Sequence, residues 1–380
     1  MNEPATKPAL PDDFTILALE TSCDETAAAV VCGGRTVLSN IVASQMALHQ
    51  RFGGVVPEVA SRQHILSLVP VIEAALRAVP GGWASINAVA ATYGPGLSGA
   101  LLTGLNAAKA LAWQRALPFI GVNHLEAHIY ANWLITPPEQ PAAPPAFPLV
   151  ALVVSGGHTL LALLRDHGDY TLLGQTRDDA AGEAFDKVAR ILGLDYPGGP
   201  AIQQAAQGVL PVGTLPRAWL RDSYDFSFSG LKTAVLHKVQ ERQELTVRSL
   251  SKATGGESKT PRGRAVSPPA GVSPVPLDAA FVGQMAYAFQ ESVVDVLSAK
   301  AVDAAVRYGA VAILLAGGVA ANVRLRKELT QRAAIPVICP PLALCTDNAA
   351  MVGAAAYYRF AVGVQSGWAL EVVPNLRLGA

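Results

Sequence analysis

Charge is scarce in this chain: charged residues are 15% of 380, and the two signs balance at 29 each. A zero net charge excludes a protein that coats nucleic acid nonspecifically, because such binding draws on a basic excess. A local basic patch stays open. Cysteine is scarcer still. Cys23, Cys32, Cys339 and Cys345 form no C-x-x-C pair and no zinc-ribbon spacing, which excludes a disulfide framework and leads to the expectation of a reduced, cytoplasmic setting. The opening MNEPATKPALPDDF lacks a basic n-region and an apolar h-region, so no signal peptide is expected. No apolar run is long enough to span a bilayer, so no membrane partner is expected either.

Hydrophobic residues are plentiful, at 51%, and the length calls for two domains. Residues 1–13 read as a disordered tail. FTILALE, TSCDET and AAAVVC then read as strand, turn and returning strand. Residues 61–79 have helical spacing, with Ile65, Leu68, Val69, Ile72 and Leu76 on one stripe. The Pro-rich 136–148 is the expected connection between lobes. After it LVALVVSGGHTLLALL repeats the strand–turn–strand pattern, which points to a duplicated architecture. The expected division is a first lobe of 14–135 plus a C-terminal helix at 347–378, and a second lobe of 149–346. Within the latter, 241–277 is rich in Ser, Pro, Gly and charge and reads as a flexible insertion. A long helix is expected over 281–308.

Four groups of residues carry chemistry. In NHLEAHIYA, His124 and His128 stand at i and i+4 on one helical face, close enough to share a metal ion. An arbitrary pair of this kind is more often packing. In the zincin H-E-x-x-H a glutamate follows the first histidine as general base; here Leu125 stands there and Glu126 points elsewhere. Asp347, at the expected start of a helix, is the candidate third ligand, with a plain N-cap as the competing reading. The turns TSCDET and SGGH (Ser155 to His158) can offer backbone N–H groups to phosphate, and the strand–GG–helix LLAGGVAAN places Asn322 against a flat ligand. Together these turns have the layout of an α/β fold of the actin/hexokinase/heat-shock ATPase type, with two ribonuclease-H-like lobes and a ligand cleft between them. No Walker A is present. In GEAFDKVARILG, Phe185, Val188, Ala189 and Leu192 supply a core stripe, Glu183 and Lys187 a surface pair, and Asp186 is either solvated or functional. Arg324, Arg326, Lys327 and Arg332, and the insert's Arg248, Lys252, Lys259, Arg262 and Arg264, read as solvated faces or as a tRNA contact.

ALETSCDETAAAVV, HQRFGGVVPEVASRQH, GPGLSGALLTG, NHLEAHIYA, VSGGHT, GEAFDKVAR, YPGGP, FSFSGLKTAV, AGGVAAN and CTDNAAM, in this order from Phe14 to Phe360, resemble the universal tRNA N6-adenosine threonylcarbamoyltransferase (TsaD) family. Departures are Ala349, where glycine is commoner, and the 241–277 insert. The resemblance implies a reaction: the N6 amine of adenosine 37, in tRNAs reading codons that begin with A, attacks the carbamoyl carbon of threonylcarbamoyl-AMP, and AMP leaves. It implies one divalent ion, Fe or Zn, on His124, His128 and Asp347. Val153, Val154, Ser155, Gly156 and Gly157 would line the phosphate and metal region. Asp186 and Gly199 would contact ribose or the threonyl part, and Asn322 the adenosine. Asp24 or Glu25 would orient or deprotonate the amine. The implied partners are tRNA, a shorter paralogue of the same fold and a small P-loop ATPase. A metal-dependent glycoprotease ranks second, weakened by Leu125. An ATP-hydrolysing or phosphorylating enzyme on this fold, or a scaffold, ranks third, since neither needs the His pair and Asp347.

Overall fold

The computed structural model describes residues 10–138, 143–210, 213–253 and 276–379, with the backbone alone over 247–253. The first lobe contains β1 (Thr15–Glu20), β2 (Glu25–Cys32), β3 (Thr36–Ser44), α1 (Met46–Gln50), α2 (Pro57–Arg77), β4 (Ala88–Gly94), α3 (Ser98–Gln114), β5 (Phe119–Asn123) and α4 (His124–Tyr130). The second contains β6 (Leu149–Val154), β7 (Thr159–Asp166), β8 (Asp169–Gln175), α5 (Ala181–Ile191), α6 (Gly198–Ala205), α7 (Ser229–Ala253), α8 (Ala279–Arg307), β9 (Ala312–Ala316), α9 (Val323–Arg332) and β10 (Val337–Ile338); α10 (Ala349–Ala361) then closes the helical part of the chain.

The two sheets have one topology. The first runs β3-β2-β1-β4-β5 and the second, from its other edge, β8-β7-β6-β9-β10. In each, a three-stranded antiparallel meander is extended by two parallel strands. The duplication read from the two hairpins is therefore real, and the architecture is the expected actin/hexokinase/heat-shock ATPase one. β1, β4 and β6 are buried on both faces, which is why they are largely apolar without alternation. Helices α2 and α3 cover the outer face of the first sheet, while α10 lies on its inner face and packs on α4. A middle core joins the lobes: Ile16, Ala18 and Val31 of one sheet and Leu149, Ala151 and Val153 of the other enclose Met351, Val352 and Ala355.

Three segments differ from expectation. On α2 the buried stripe is Leu68, Val71, Ile72, Ala75 and Leu76, while Ile65 and Val69 are 66% and 61% exposed. Apolar side chains there cover a wider arc than one sheet face can bury. The C-terminal segment is helical only to Ala361. Gly363 turns the chain at φ 89°, and the residues beyond form a strap over the first lobe. Ser366 N–H donates to Phe119 O, Val373 N–H to Tyr93 O (2.8 Å), and Asn123 Nδ2 to Arg377 O (2.8 Å). Third, helical backbone continues through 241–253 of the expected insertion; 254–275, like tail residues 1–9, lie outside the described residues. Residues 10–13 of that tail are ordered enough to bond: Phe14 N–H donates to Pro11 O at 3.0 Å.

Candidate metal centre and ligand cleft

β5 runs straight into α4. Asn123 caps the helix by accepting from Leu125 N–H at 2.9 Å, which fixes His124 at its first position and His128 one turn on. Asp347 Oδ1 lies 3.6 Å from His124 Nε2 and 3.2 Å from His128 Nε2, and one ligand atom from each residue falls within 4.8 Å of the others. The competing N-cap reading of Asp347 fails, because Asn348 caps α10 by accepting from Met351 N–H at 3.1 Å. The Asp347 carboxylate is thus left to the histidines. His128 is fully buried; its Nδ1 has no hydrogen-bond partner, and its Nε2 meets only Asp347 Oδ1, at 3.2 Å but off hydrogen-bond geometry. Leaving such a group unsatisfied costs about 1–3 kcal/mol, and a divalent cation between the three side chains removes that penalty. Two imidazoles and a carboxylate suit zinc and iron.

Glu20, at the end of β1, reaches this centre although no motif in the sequence pointed to it. Its Oε2 is 3.0 Å from His124 Nδ1 and accepts from Thr92 Oγ1 at 2.7 Å; its Oε1 accepts from Ser22 N–H at 2.6 Å. Burial pushes its pKa up, but His124 outweighs this and holds it below the usual value. An ionisable residue closing a strand with the apolar run Ile16–Leu19 was the available signal. Burial also acts against the charged form of His124, yet Asp347 and Glu20 carry its pKa up to about 9, so binding a metal there displaces a proton. Glu126 faces away, as expected: it accepts from Tyr170 Oη and from Arg359, each at 2.7 Å.

Beside this centre a cleft of about 630 Å³ opens between the two hairpin turns, well inside the range of ligand pockets, roughly 300–1,000 Å³. Ser155, Gly156 and Gly157 line it, and space is open where a Cβ of either glycine would stand. Gly182 opens α5 directly against this turn: its N–H donates to Ser155 O at 3.2 Å, and an added Cβ would sit 2.6 Å from that oxygen. The positive end of α5 therefore faces the turn where an anion would bind. Asp24 and Glu25 line the cleft from the first turn. Burial first, then Asp24, push the Glu25 carboxyl up to about 8; its Oε1 accepts from Ser44 Oγ at 2.7 Å and its Oε2 is buried without a partner. Asp186 also lines the cleft and accepts from Gly198 N–H at 2.7 Å, with burial raising its pKa.

Other expected residues lie elsewhere. Val153 and Val154 are wholly buried in the cores on opposite sides of β6. Asn322 is 8% exposed and has both ends engaged, accepting from Leu325 N–H as the cap of α9 and donating to Gln290 Oε1 at 2.9 Å. Gly199 lies in the first turn of α6 with open space around it, outside the cleft lining. In contrast, His158 and Tyr196 do line the cleft; burial, then His124 and His128, push His158 down to about 4, so it stands as a neutral imidazole. The α9 arginines form no free basic face. Arg324 binds Glu291 and Glu328, Arg326 binds the Ala320 and Pro340 carbonyls, and Arg332 binds Glu328 and Asp295. Of the basic residues in the insert, Lys259, Arg262 and Arg264 lie outside the described residues, and Arg248 and Lys252 are described by backbone alone.

The profile of the family described as TsaD, tRNA N6-adenosine threonylcarbamoyltransferase, matches residues 36–354. A Thermomicrobium roseum protein named tRNA N6-adenosine threonylcarbamoyltransferase is 55% identical over 364 residues, covering 96% of each chain. A Geobacillus kaustophilus protein of the same name is 50% identical over 372 residues, 97% of this chain and 98% of the relative. Among solved structures, full-length HypF in its phosphate- and nucleotide-bound form superposes with a TM-score of 0.55 at 12% identity, over 94% of this chain and 48% of HypF. That is a likeness of fold alone.

Proposed function

The chain belongs to the tRNA N6-adenosine threonylcarbamoyltransferase (TsaD) family, and on that premise we propose that it transfers threonylcarbamoyl from threonylcarbamoyl-AMP to the N6 amine of adenosine 37 in tRNAs reading codons that begin with A. The observation that carries this reading is the convergence of His124, His128 and Asp347 beside a cleft lined by the two hairpin turns. An iron or zinc ion on those residues would supply electrostatic stabilisation of charge on the carbonyl oxygen and the leaving phosphate. The backbone N–H groups of Gly156 and Gly157 bind the phosphate, with the positive end of α5 behind the turn, and Asp186 the ribose or threonyl portion. The amine nitrogen bonds to the carbamoyl carbon, the carbon–oxygen bond to phosphate breaks, and AMP departs with that electron pair. Glu25, beside Asp24, takes the amine proton; a carboxyl with a pKa near 8 is matched to that task near neutral pH.

A cytoplasmic enzyme working with a shorter paralogue of its own fold and a small P-loop ATPase completes the proposal. The exposed apolar strip of Ile65, Leu66 and Val69 on α2 offers such a paralogue a docking face. No described helix is long and apolar enough to cross a membrane. The glycoprotease alternative loses support, since Leu125 holds the base position and Glu126 is tied to Arg359. Reconstitution with the adenylate, the partner proteins and unmodified tRNA, followed by nucleoside analysis, tests the proposal. Threonylcarbamoyl-adenosine should appear with wild type and fail to appear with His124→Ala; no product from the wild type would overturn it.

A further inference from the structure

The cleft leaves the approach of the RNA unexplained. Its lining includes Asp24, Glu25, Glu183, Asp186 and Asp347. Of the two cations there, Lys187 is tied to Asp179 and Glu183, and Arg190 donates to Gly53 O. An RNA backbone brought to this mouth finds, among the described residues, no unengaged lysine or arginine to meet its phosphates. On the other side of the Ser155–His158 turn lies a second cavity, of about 290 Å³, roofed by the C-terminal strap and floored by β7 and β8. No acidic residue lines it. Besides His158 and the hydrogen-bonded Thr159 and Thr176, its polar groups are the exposed side chains of Gln175, Asn375 and Arg377, none of which makes a hydrogen bond or ion pair among the described residues. Its walls are flat and aliphatic, with Pro95, Leu160 and Leu376 among them. The two cavities share Pro95, Gly157 and His158, and Pro95 leads into Leu97, whose N–H donates to Ser22 O at 2.8 Å in the hairpin that carries Asp24 and Glu25.

Resting on the transferase reading, we propose that this strap cavity is the acceptor site, taking the extruded adenosine of the tRNA anticodon loop while the adenylate fills the main cleft. Single-stranded loops are the parts of RNA whose bases can be splayed out and read on their edges. Adenine presents an acceptor and an amine side by side, the pattern that side-chain amides such as Gln175 and Asn375 match. Arg377 meets the flanking phosphate, and the aliphatic walls hold the ring faces. An amide then holds one hydrogen of the amine and leaves the other directed past Pro95 toward the hairpin, so donor and acceptor enter from opposite sides of the Ser155–His158 turn and can be bound together.

The test compares wild type with Gln175→Leu/Asn375→Leu, a pair of exposed positions, in the reconstituted reaction. The expected result is a fall in kcat/KM for tRNA of about 10-fold or more, with the KM for the adenylate and the metal content unchanged. A tRNA anticodon stem-loop carrying 8-azidoadenosine at the acceptor position should crosslink to residues 374–378 or 157–176. If the wild type makes no product, the transferase reading itself fails. If the wild type works and the variant keeps wild-type tRNA kinetics, or crosslinks fall only on 183–190, the acceptor site is wrong. A raised KM for the adenylate instead would give the cavity to the threonyl end of the donor and equally overturn the proposal.

Discussion

Replacing Glu20 with glutamine should weaken metal binding without unfolding the protein. In the wild type, Glu20 Oε2 accepts from His124 Nδ1–H at 3.0 Å, which leaves the Nε2 lone pair free toward Asp347 and His128. A carboxylate can accept from Ser22 N–H, Thr92 Oγ1 and His124 at once. An amide of the same size has one accepting oxygen, so either Ser22 N–H or the Thr92 and His124 pair loses its partner, and in both cases the charge that holds His124 Nδ1–H is gone. Outer partners of this kind are worth about 10–100-fold in metal affinity, or about 1.4–2.7 kcal/mol. Proton competition partly masks the effect. Metal-free His124 titrates at about 9, where Asp347 and Glu20 outweigh the depression by burial; glutamine lowers that value, so near pH 7 the variant has less proton to displace. The full ratio should emerge only above about pH 9. Competition with a chromophoric chelator at pH 7 and at pH 9.5 measures both, with circular dichroism as the check on folding. Equal affinity for wild type and Glu20→Gln at both pH values, while His124→Ala loses the metal, would refute the reasoning.

Removing Arg359 strands the buried Glu126 carboxylate; Arg359→Ala should lose about 3–5 kcal/mol in urea unfolding, and Arg359→Ala/Glu126→Gln should recover much of it. Gly182→Ala places a Cβ 2.6 Å from Ser155 O, so overpacking of about 1–3 kcal/mol is expected, together with weaker AMP binding by calorimetry because the phosphate turn must shift. Glu25 has a folded pKa raised to about 8 by burial and Asp24 against a reference of 4.5. The folded state therefore holds a proton that the unfolded chain releases, and stability falls as pH rises from about 4.5 to about 8. Glu25→Gln should flatten this slope in thermal unfolding and remove an activity inflection near pH 8; an unchanged profile would show that Glu25 is not the group titrating. Ile65→Glu/Val69→Glu should leave the melting temperature unchanged and abolish co-elution with the paralogue, since both side chains are exposed.

Periodicity disclosed what local rules govern. The two hairpins, the α5 stripe and the long α8 came directly from strand alternation and helical spacing. It could not say which arc of α2 meets the sheet: Ile65 and Val69 are as apolar as Leu68 and Ile72, and only the position of β2 decides between them. Neighbouring residues in CTDNAAM compete for one capping role, and Asn348 takes it, which is what leaves Asp347 to the metal centre. Asn322 shows the opposite outcome, a polar residue after a Gly-Gly turn fully engaged in holding α9 and Gln290. The motif resemblance located the histidines but not their support, because Glu20 and Thr92 meet only across the β1–β4 pairing. The strap was unreadable for the same reason: its bonds to Tyr93, Phe119 and Asn123 are long-range.

Asp347 enters the centre from just before the last helix, whereas His124 and His128 come from the first third of the chain. During synthesis the two histidines emerge early and must wait for nearly the whole second lobe before their carboxylate arrives. Met351, Val352 and Ala355, which plug the middle core, arrive with it. A product terminated before α10 therefore lacks both its third ligand and the filling between its sheets. Its middle core would be left without Met351, Val352 and Ala355, and apolar faces of both sheets would be uncovered. A cation held by these three residues would therefore require a chain complete through Asp347.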